Sequence, residues 1–308
     1  MTMGVAAVTG ATGFLGQHLV RALSDAGWRV RILARRDPIS PFWEGIAPQV
    51  IAGDLGDDAA LARLCQGADL VIHAAGLLFG ADRDLERVNV EGTRRLAEAA
   101  ARAPRVIQVS SLAAREPQLS PYAASKRAGE EVARRLLGER GVIVRPPAVY
   151  GPGDRETLRL FQLAARSPAL PVFDPRARVA VVHVQDAARQ IVALAAGPQP
   201  RPVALCDERP EGYAWRELMG TAAEAFGRRS RLVQAPAAML YGLASVEVFA
   251  NSWRKNSGML TFGKVRELTH LDWGVRSDER ATVAPAPNFN LLSGFRQTIG
   301  WYRSQGWL

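Results

Sequence analysis

The chain has 308 residues, 48% of them hydrophobic, and a formal charge of +9. That length suits one large α/β domain or two smaller ones with a sizeable core, and nowhere does it hold the ~18 consecutive apolar residues that a membrane span needs. Arginine carries nearly all of the charge, in dispersed pairs such as Arg134-Arg135 and Arg228-Arg229. This is the pattern of a solvated surface rather than the basic, aromatic-interleaved tract of a nucleic-acid module.

Val5-Ala-Ala-Val8 is a short apolar run that reads as a buried strand. A core strand this early is expected to leave no room for a signal peptide. The run passes directly into Thr9-Gly10-Ala-Thr-Gly13-Phe-Leu-Gly16 and then into a helical pattern reaching Leu23. The glycines therefore sit on a strand-to-helix turn, where a dinucleotide fingerprint has to lie. Gly10 would permit the tight turn, Gly13 would let backbone approach a pyrophosphate, and Gly16 would let helix and strand lie close. Thr12, Phe14 and Leu15 flank them at the helix N-terminus, whose free N–H groups and positive dipole end suit an anion.

Further strands are expected at Arg29 to Ala34, Gln49 to Ala52, Asp69 to Ala74, Arg105 to Ser110 and Val142 to Arg145. Helical patterns intervene, including Asp84 to Ala101 and Tyr122 to Leu137. Alternation of this kind predicts a doubly wound parallel sheet, a Rossmann α/β fold, with its ligand at the carboxyl ends of the strands. Gly10, Arg35, Asp54, His73-Ala-Ala-Gly76 and Ser110-Ser111 all fall at such ends.

Past Tyr150-Gly-Pro-Gly153 the pattern loosens and prolines cluster. Residues 1–153 read as the dinucleotide-binding domain. Residues 154–308 read mostly as a smaller substrate-capping lobe, with 178–197 (a β-like run and a helix) returning to the Rossmann core. Ala235 to Ala250, broken by Glu247, reads as a buried or amphipathic helix, Trp273 to Asn288 as extended chain, and Leu291 to Gln305 as a final helix. Cys65 and Cys206 are far apart and without metal-ligand spacing, so no metal site is expected. Both thiols are expected to be reduced, in a cytoplasmic setting.

Tyr122-Ala-Ala-Ser-Lys126 follows the glycine motif by about a hundred residues. Tyr122 and Lys126 lie one turn apart on one helix face. A phenol is a poor acid or base at neutral pH, but a neighbouring ammonium favours the phenolate and makes the tyrosine a usable proton donor or acceptor. Lys126 could also bond the nicotinamide ribose. Ser111, at the end of the fifth strand, could donate a hydrogen bond to the substrate oxygen.

These motifs, together with Gly53-Asp54-Leu55, Asn89-Val-Glu-Gly92-Thr93, Arg145-Pro146, Val149-Tyr-Gly-Pro-Gly153 and His183-Val-Gln-Asp186, resemble the extended short-chain dehydrogenase/reductases, the NAD(P)-dependent epimerase/dehydratase group. The resemblance spans nearly the whole chain. It implies that Tyr122 is the acid/base, Lys126 its partner and ribose anchor, and Ser111 the substrate-oxygen donor. It further implies Asp54 and Leu55 against adenine, Ala74, Ala75 and Gly76 along ribose and phosphates, Ser110 beside the cofactor, and Pro146 to Ala148 facing the nicotinamide. Roles for Asn89 and His183 stay open, His183 being equally a structural residue. In many members two helices flanking the active site form a four-helix dimer interface, which makes a homodimer the candidate assembly.

The chain departs from sugar-nucleotide members in carrying Leu112-Ala-Ala-Arg115 where Val-Tyr-Gly is usual, with a short loop from Ser111 to Tyr122. The reaction is expected to be hydride transfer at a carbonyl/alcohol carbon of a small-molecule substrate: ketone reduction, or nucleotide-sugar epimerisation or dehydration. The alternative is a non-catalytic redox sensor or assembly factor, but such relatives typically lose the tyrosine or lysine. NADP(H) is favoured over NAD(H), because the second strand ends in Arg35-Arg36 and an arginine there accommodates a 2′-phosphate. Val30-Arg-Ile-Leu-Ala-Arg35 also resembles dihydroflavonol-reductase-like members. The competing reading has Asp37 reaching back to the ribose.

Overall fold

A computed structural model describes residues 3–197, 199, 201–236, 238–242, 245, 261–281 and 284–308. Half of the expected helix Ala235 to Ala250 lies outside the described residues. Two compact units emerge: the first is Met1–Pro146, Ala187–Leu205 and Glu279–Pro285, the second Pro147–Asp186, Cys206–Asp278 and Ala286–Leu308.

The first unit is built on seven strands: β1 Val5–Thr9, β2 Arg29–Ala34, β3 Gln49–Ala52, β4 Leu70–His73, β5 Arg105–Val109, β6 Gly141–Arg145 and, from much later in the chain, β7 Val203–Ala204. Their spatial order is β7-β6-β5-β4-β1-β2-β3, with every neighbouring pair parallel. The order reverses between β1 and β4, which opens the crevice where α/β sheets bind ligands. Apolar runs explain the centre of the sheet: all four residues of β4 are buried, as are the last four of β1 and of β5. One face packs under α2 (Asp58–Cys65), α4 (Gly92–Ala99) and α5 (Pro121–Leu137), burying Leu61, Leu64, Leu96 and Leu137 with Val71 and Val106.

Strand boundaries follow the sequence expectation within a residue. The helix expected over Asp84 to Ala101 does not run straight. It begins as α3 (Asp82–Leu85), widens into a π turn at Glu86–Glu91 and resumes as α4. Trp273 to Asn288, expected to be extended, contains only the two-residue strand Asp272–Trp273 and a 3₁₀ turn at Ser277–Glu279 among its described residues.

In the second unit, Ala148–Tyr150 pairs with Val181–His183 and Ala169–Val172 with Arg231–Gln234, both in parallel. Its core is aromatic: Phe295 of the C-terminal helix Leu291–Ser304 meets Tyr150 and Phe161 edge-on at 5.0 Å each. No helix among the described residues is long and apolar enough to cross a membrane.

Candidate active site

The glycine turn comes first. Gly10 has φ +72°, a conformation L side chains avoid, and a Cβ there would collide with the backbone of Ala74 and Ala75. Gly16 packs so tightly that a Cβ would overlap the Gly10 carbonyl oxygen. Gly13 N–H donates to that carbonyl at 3.0 Å, and Gly13 caps helix α1 (Phe14–Asp25) with no side-chain bond and no acidic residue in the first turn. Thr12 and Gly13 are exposed, and Phe14 and Leu15 half-buried. The first-turn amides are therefore left for an anion, and these residues fit the pyrophosphate of a dinucleotide.

The neighbouring strand ends line up beside this turn. His73 closes β4, bonded through Nδ1 to Thr9 Oγ1 at 2.6 Å. Burial, with help from the Lys126 charge, pulls the imidazole down to about 3, so it is neutral. The chain then runs through half-buried Ala74 and Ala75 to exposed Gly76, where a Cβ would stand 3.2 Å from Asn89 Oδ1 and 3.5 Å from Lys126 Nζ. Asp54 is exposed and its Oδ1 accepts from Gly56 N–H at 2.7 Å, holding the turn after β3. Leu55 sits against Gly92. Arg35, Arg36 and Asp37 are all exposed past β2. The loop beyond them is pinned to α1 by Ser40 Oγ on Gln17 Oε1 (2.6 Å) and Trp43 Nε1 on the Gln17 carbonyl (3.0 Å), an anchor the sequence reading missed.

Helix α5 carries the Tyr-x-x-x-Lys pair. Ser120 caps it, its Oγ accepting from Ala123 N–H at 3.0 Å, and Pro121 occupies the first turn, as helix starts favour. Tyr122 is half-buried and Lys126 is buried, its Nζ donating to the Val109 carbonyl at 2.8 Å. Burial lowers the Lys126 ammonium to about 8, against the opposing pull of Glu130. Ser111 begins a 3₁₀ turn over Leu112–Arg115, and its Oγ accepts from Ala113 N–H at 3.2 Å. The hydroxyl proton is thus left to donate.

Asn89 lies on the π turn, a distortion that recurs at functional sites. Its amide clamps Leu77 from both sides, accepting from the N–H at 2.8 Å and donating to the carbonyl at 3.0 Å, and also donates to Ser125 Oγ at 2.9 Å. Ser125 in turn donates to the Tyr122 carbonyl at 2.8 Å. Asn89 thereby ties the loop after β4 to the turn of α5 that bears Tyr122.

The remaining expected residues have contacts of their own. The Ser110 hydroxyl is buried and donates to Glu130 Oε1 at 2.6 Å. Pro146 is buried, its carbonyl accepting from Leu112 N–H at 2.9 Å, while Ala148 is exposed at the start of a strand of the second unit. His183 is buried in that unit's aromatic cluster, 4.0 Å from the Phe289 ring and 5.4 Å from Tyr150. Glu130 and Arg145 form a buried, two-pronged ion pair, at 2.8 and 2.7 Å, which went unread in the sequence. The legible signal was an acid one turn beyond Lys126, on the face that continues to Ala133 and Leu137.

The fold and these motifs find a match among known proteins. A model of the NAD dependent epimerase/dehydratase family matches residues 6–206. The chain belongs to that family. Over 312 aligned residues it is 51% identical to a ceramide reductase of Caulobacter vibrioides, covering 99% of this chain and 96% of the relative. It is 25% identical to a mitochondrial NADH dehydrogenase [ubiquinone] 1 alpha subcomplex subunit 9 of Dictyostelium discoideum, over 74% of this chain and 65% of that one. Among solved structures, gox2253 superposes with a TM-score of 0.78 at 24% identity, covering 99% of both chains, a likeness of fold. As a member of this epimerase/dehydratase family with a reductase among its relatives, the chain is an enzyme of the NAD(P)-dependent reductase/epimerase type.

Proposed function

We propose that the chain is an NADPH-dependent reductase that converts the ketone counterpart of a ceramide's secondary hydroxyl to the alcohol. The observation that carries the catalytic part is the buried Lys126 ammonium, bonded to the end of β5 and close to Gly76, one helical turn from Tyr122. The ceramide reductase at 51% identity supports the substrate class. So does Leu112-Ala-Ala-Arg115, where sugar-nucleotide members usually carry Val-Tyr-Gly.

In this reading Ser111 and Tyr122 hold the ketone oxygen between two donors. NADPH, when bound, supplies the hydride that adds to the carbonyl carbon. Tyr122 gives its phenolic proton to the oxygen, and the Lys126 charge stabilises the phenolate left behind. Lys126 spends one of its three N–H donors on Val109, which leaves two for the ribose hydroxyls. The uncapped start of α1 would take the pyrophosphate, Gly76 and its neighbours would take the ribose and phosphates, and Arg35 with Arg36 would take the 2′-phosphate. The retained serine, tyrosine and lysine argue against a role that only binds the dinucleotide.

The test is loss of nicotinamide absorbance when purified protein and NADPH meet a keto-ceramide, with nucleotide sugars in a parallel series read by product chromatography, because epimerisation and dehydration take the hydride and return it within one turnover and leave the cofactor's absorbance unchanged. Turnover of the keto lipid alone is expected. Turnover of a nucleotide sugar with the keto lipid inert would contradict the assignment.

A further inference from the structure

Ser111 sits inside a closed ring of buried side-chain bonds. On its N-terminal side, the Ser110 hydroxyl donates to Glu130 Oε1 at 2.6 Å. Arg145 grips both oxygens of Glu130 through Nε and Nη2 and places its third nitrogen, Nη1, in an ion pair 3.6 Å from Glu279 Oε1. Glu279 Oε2 in turn holds Arg115 at 3.1 Å. Arg115 ends the 3₁₀ turn that Ser111 begins. The path from Ser110 through Glu130, Arg145 and Glu279 therefore re-enters the chain at residue 115, with Ser111 between its two ends. Two backbone bonds brace the same span: Ser110 N–H to the Val144 carbonyl at 2.7 Å and Leu112 N–H to the Pro146 carbonyl at 2.9 Å.

We infer that Arg115 and Glu279 are positioning residues for Ser111. They hold the 3₁₀ turn so that the Ser111 hydroxyl keeps one direction toward the substrate oxygen. This rests on the reading of Ser111 as the oxygen's donor. Arg115 also lies 3.6 Å from Glu116 Oε1, so the two arginines face three carboxylates, and the side chains of Arg115 and Glu279 are 6% and 10% exposed. Buried ion pairs add little net stability over an apolar replacement, so their use in fixing one geometry is the stronger rationale. A donor acts on a developing oxyanion only when aligned, and a shift of about 1 Å can cost up to ~100-fold in rate. Arg115 is also the last residue of the Leu112-Ala-Ala-Arg115 departure, so the ring belongs to the feature that sets this chain apart from sugar-nucleotide members.

The experiment is a double-mutant cycle on turnover of the keto lipid. One arm combines Arg115→Met with Glu279→Gln, which removes one charge of each sign and leaves Glu116, whose side chain is 20% exposed, to solvent. The other arm is Ser111→Ala, and the third protein carries all three changes. The ring variant is expected to lose about tenfold in kcat while its NADPH affinity stays within about twofold. In the Ser111→Ala background the same changes are expected to have almost no further effect. If the ring variant keeps kcat within about twofold, or loses the same tenfold again without Ser111, the inference is overturned. An unaffected Ser111→Ala enzyme would instead sink the reading of Ser111 as donor, and the inference with it. Should the ring variant fail to fold, Arg115→Lys keeps the charge but loses the planar fork. It should show a smaller kcat loss that likewise vanishes without Ser111, and persistence of that loss there would refute the inference.

Discussion

Gly129 of α5 touches Asn89 of the π turn so closely that a Cβ at position 129 would stand 2.5 Å from the Asn89 carbonyl oxygen. The contact is backbone to backbone, so no side chain can rotate away to relieve it. It sets how near the helix bearing Tyr122 and Lys126 lies to the turn that clamps Leu77.

Gly129→Ala is accordingly expected to push α5 outward. Overpacking of this kind destabilises by ~1–3 kcal/mol, readable as a lower denaturant midpoint. Because Lys126 moves with the helix, kcat/KM should fall further than the folded fraction explains. Unaltered stability and activity would mean that α5 does not depend on this close approach.

Lys126 makes stability pH-dependent in a defined window. Its pKa in the folded protein is about 8, below the ordinary 10.5, because burial disfavours the ammonium. Between these values the unfolded chain binds the proton more readily than the folded one, so raising the pH favours folding. The burial penalty is fully present below about 8 and gone above about 10.5. The stability difference between the cofactor-free native protein and Lys126→Met should therefore shift in favour of the native protein across that window, by about 3 kcal/mol at most. Subtracting the variant removes Cys65, whose thiol burial raises to about 11 and which titrates in both proteins. A flat difference would show that Lys126 is not a buried ammonium.

The proposed preference for NADPH rests on the end of β2. Arg35→Ala and Arg36→Ala should weaken NADPH binding, with at least one of them losing roughly tenfold or more, because charge-assisted bonds to phosphate are worth about 1.5–3 kcal/mol. NADH binding should be unaffected. Tryptophan fluorescence titration reads both. Tighter NADH binding in the native protein, indifferent to either substitution, would assign the ribose contact to Asp37 instead.

Much of the fold was legible because its signals are local. The apolar runs of β1, β2 and β5, the glycines of the first turn, and Ser120-Pro121 before α5 each report on their own neighbours. The π turn was not legible. What marks it is Asn89 bonding Leu77 twelve positions away, a contact no local pattern reports. The ring around Ser111 was less accessible still, since Arg115 and Glu279 lie 164 residues apart and nothing local to Glu279 points to its partner. At the candidate site, Tyr122 and Lys126 were legible from their four-residue spacing on one helix, whereas the bond of the Ser110 hydroxyl to Glu130, twenty residues on, was not.

The most direct test is deuteride transfer from NADPH carrying deuterium at both C4 positions of the nicotinamide to a keto-ceramide, followed by mass spectrometry of the lipid, with native protein and Tyr122→Phe side by side. The account predicts one deuterium on the new carbinol carbon with native protein. With Tyr122→Phe the rate should fall by roughly 10²–10⁴-fold while NADPH still binds. Absence of deuterium from the lipid, or a Tyr122→Phe enzyme that keeps more than about a third of the native rate, would contradict it.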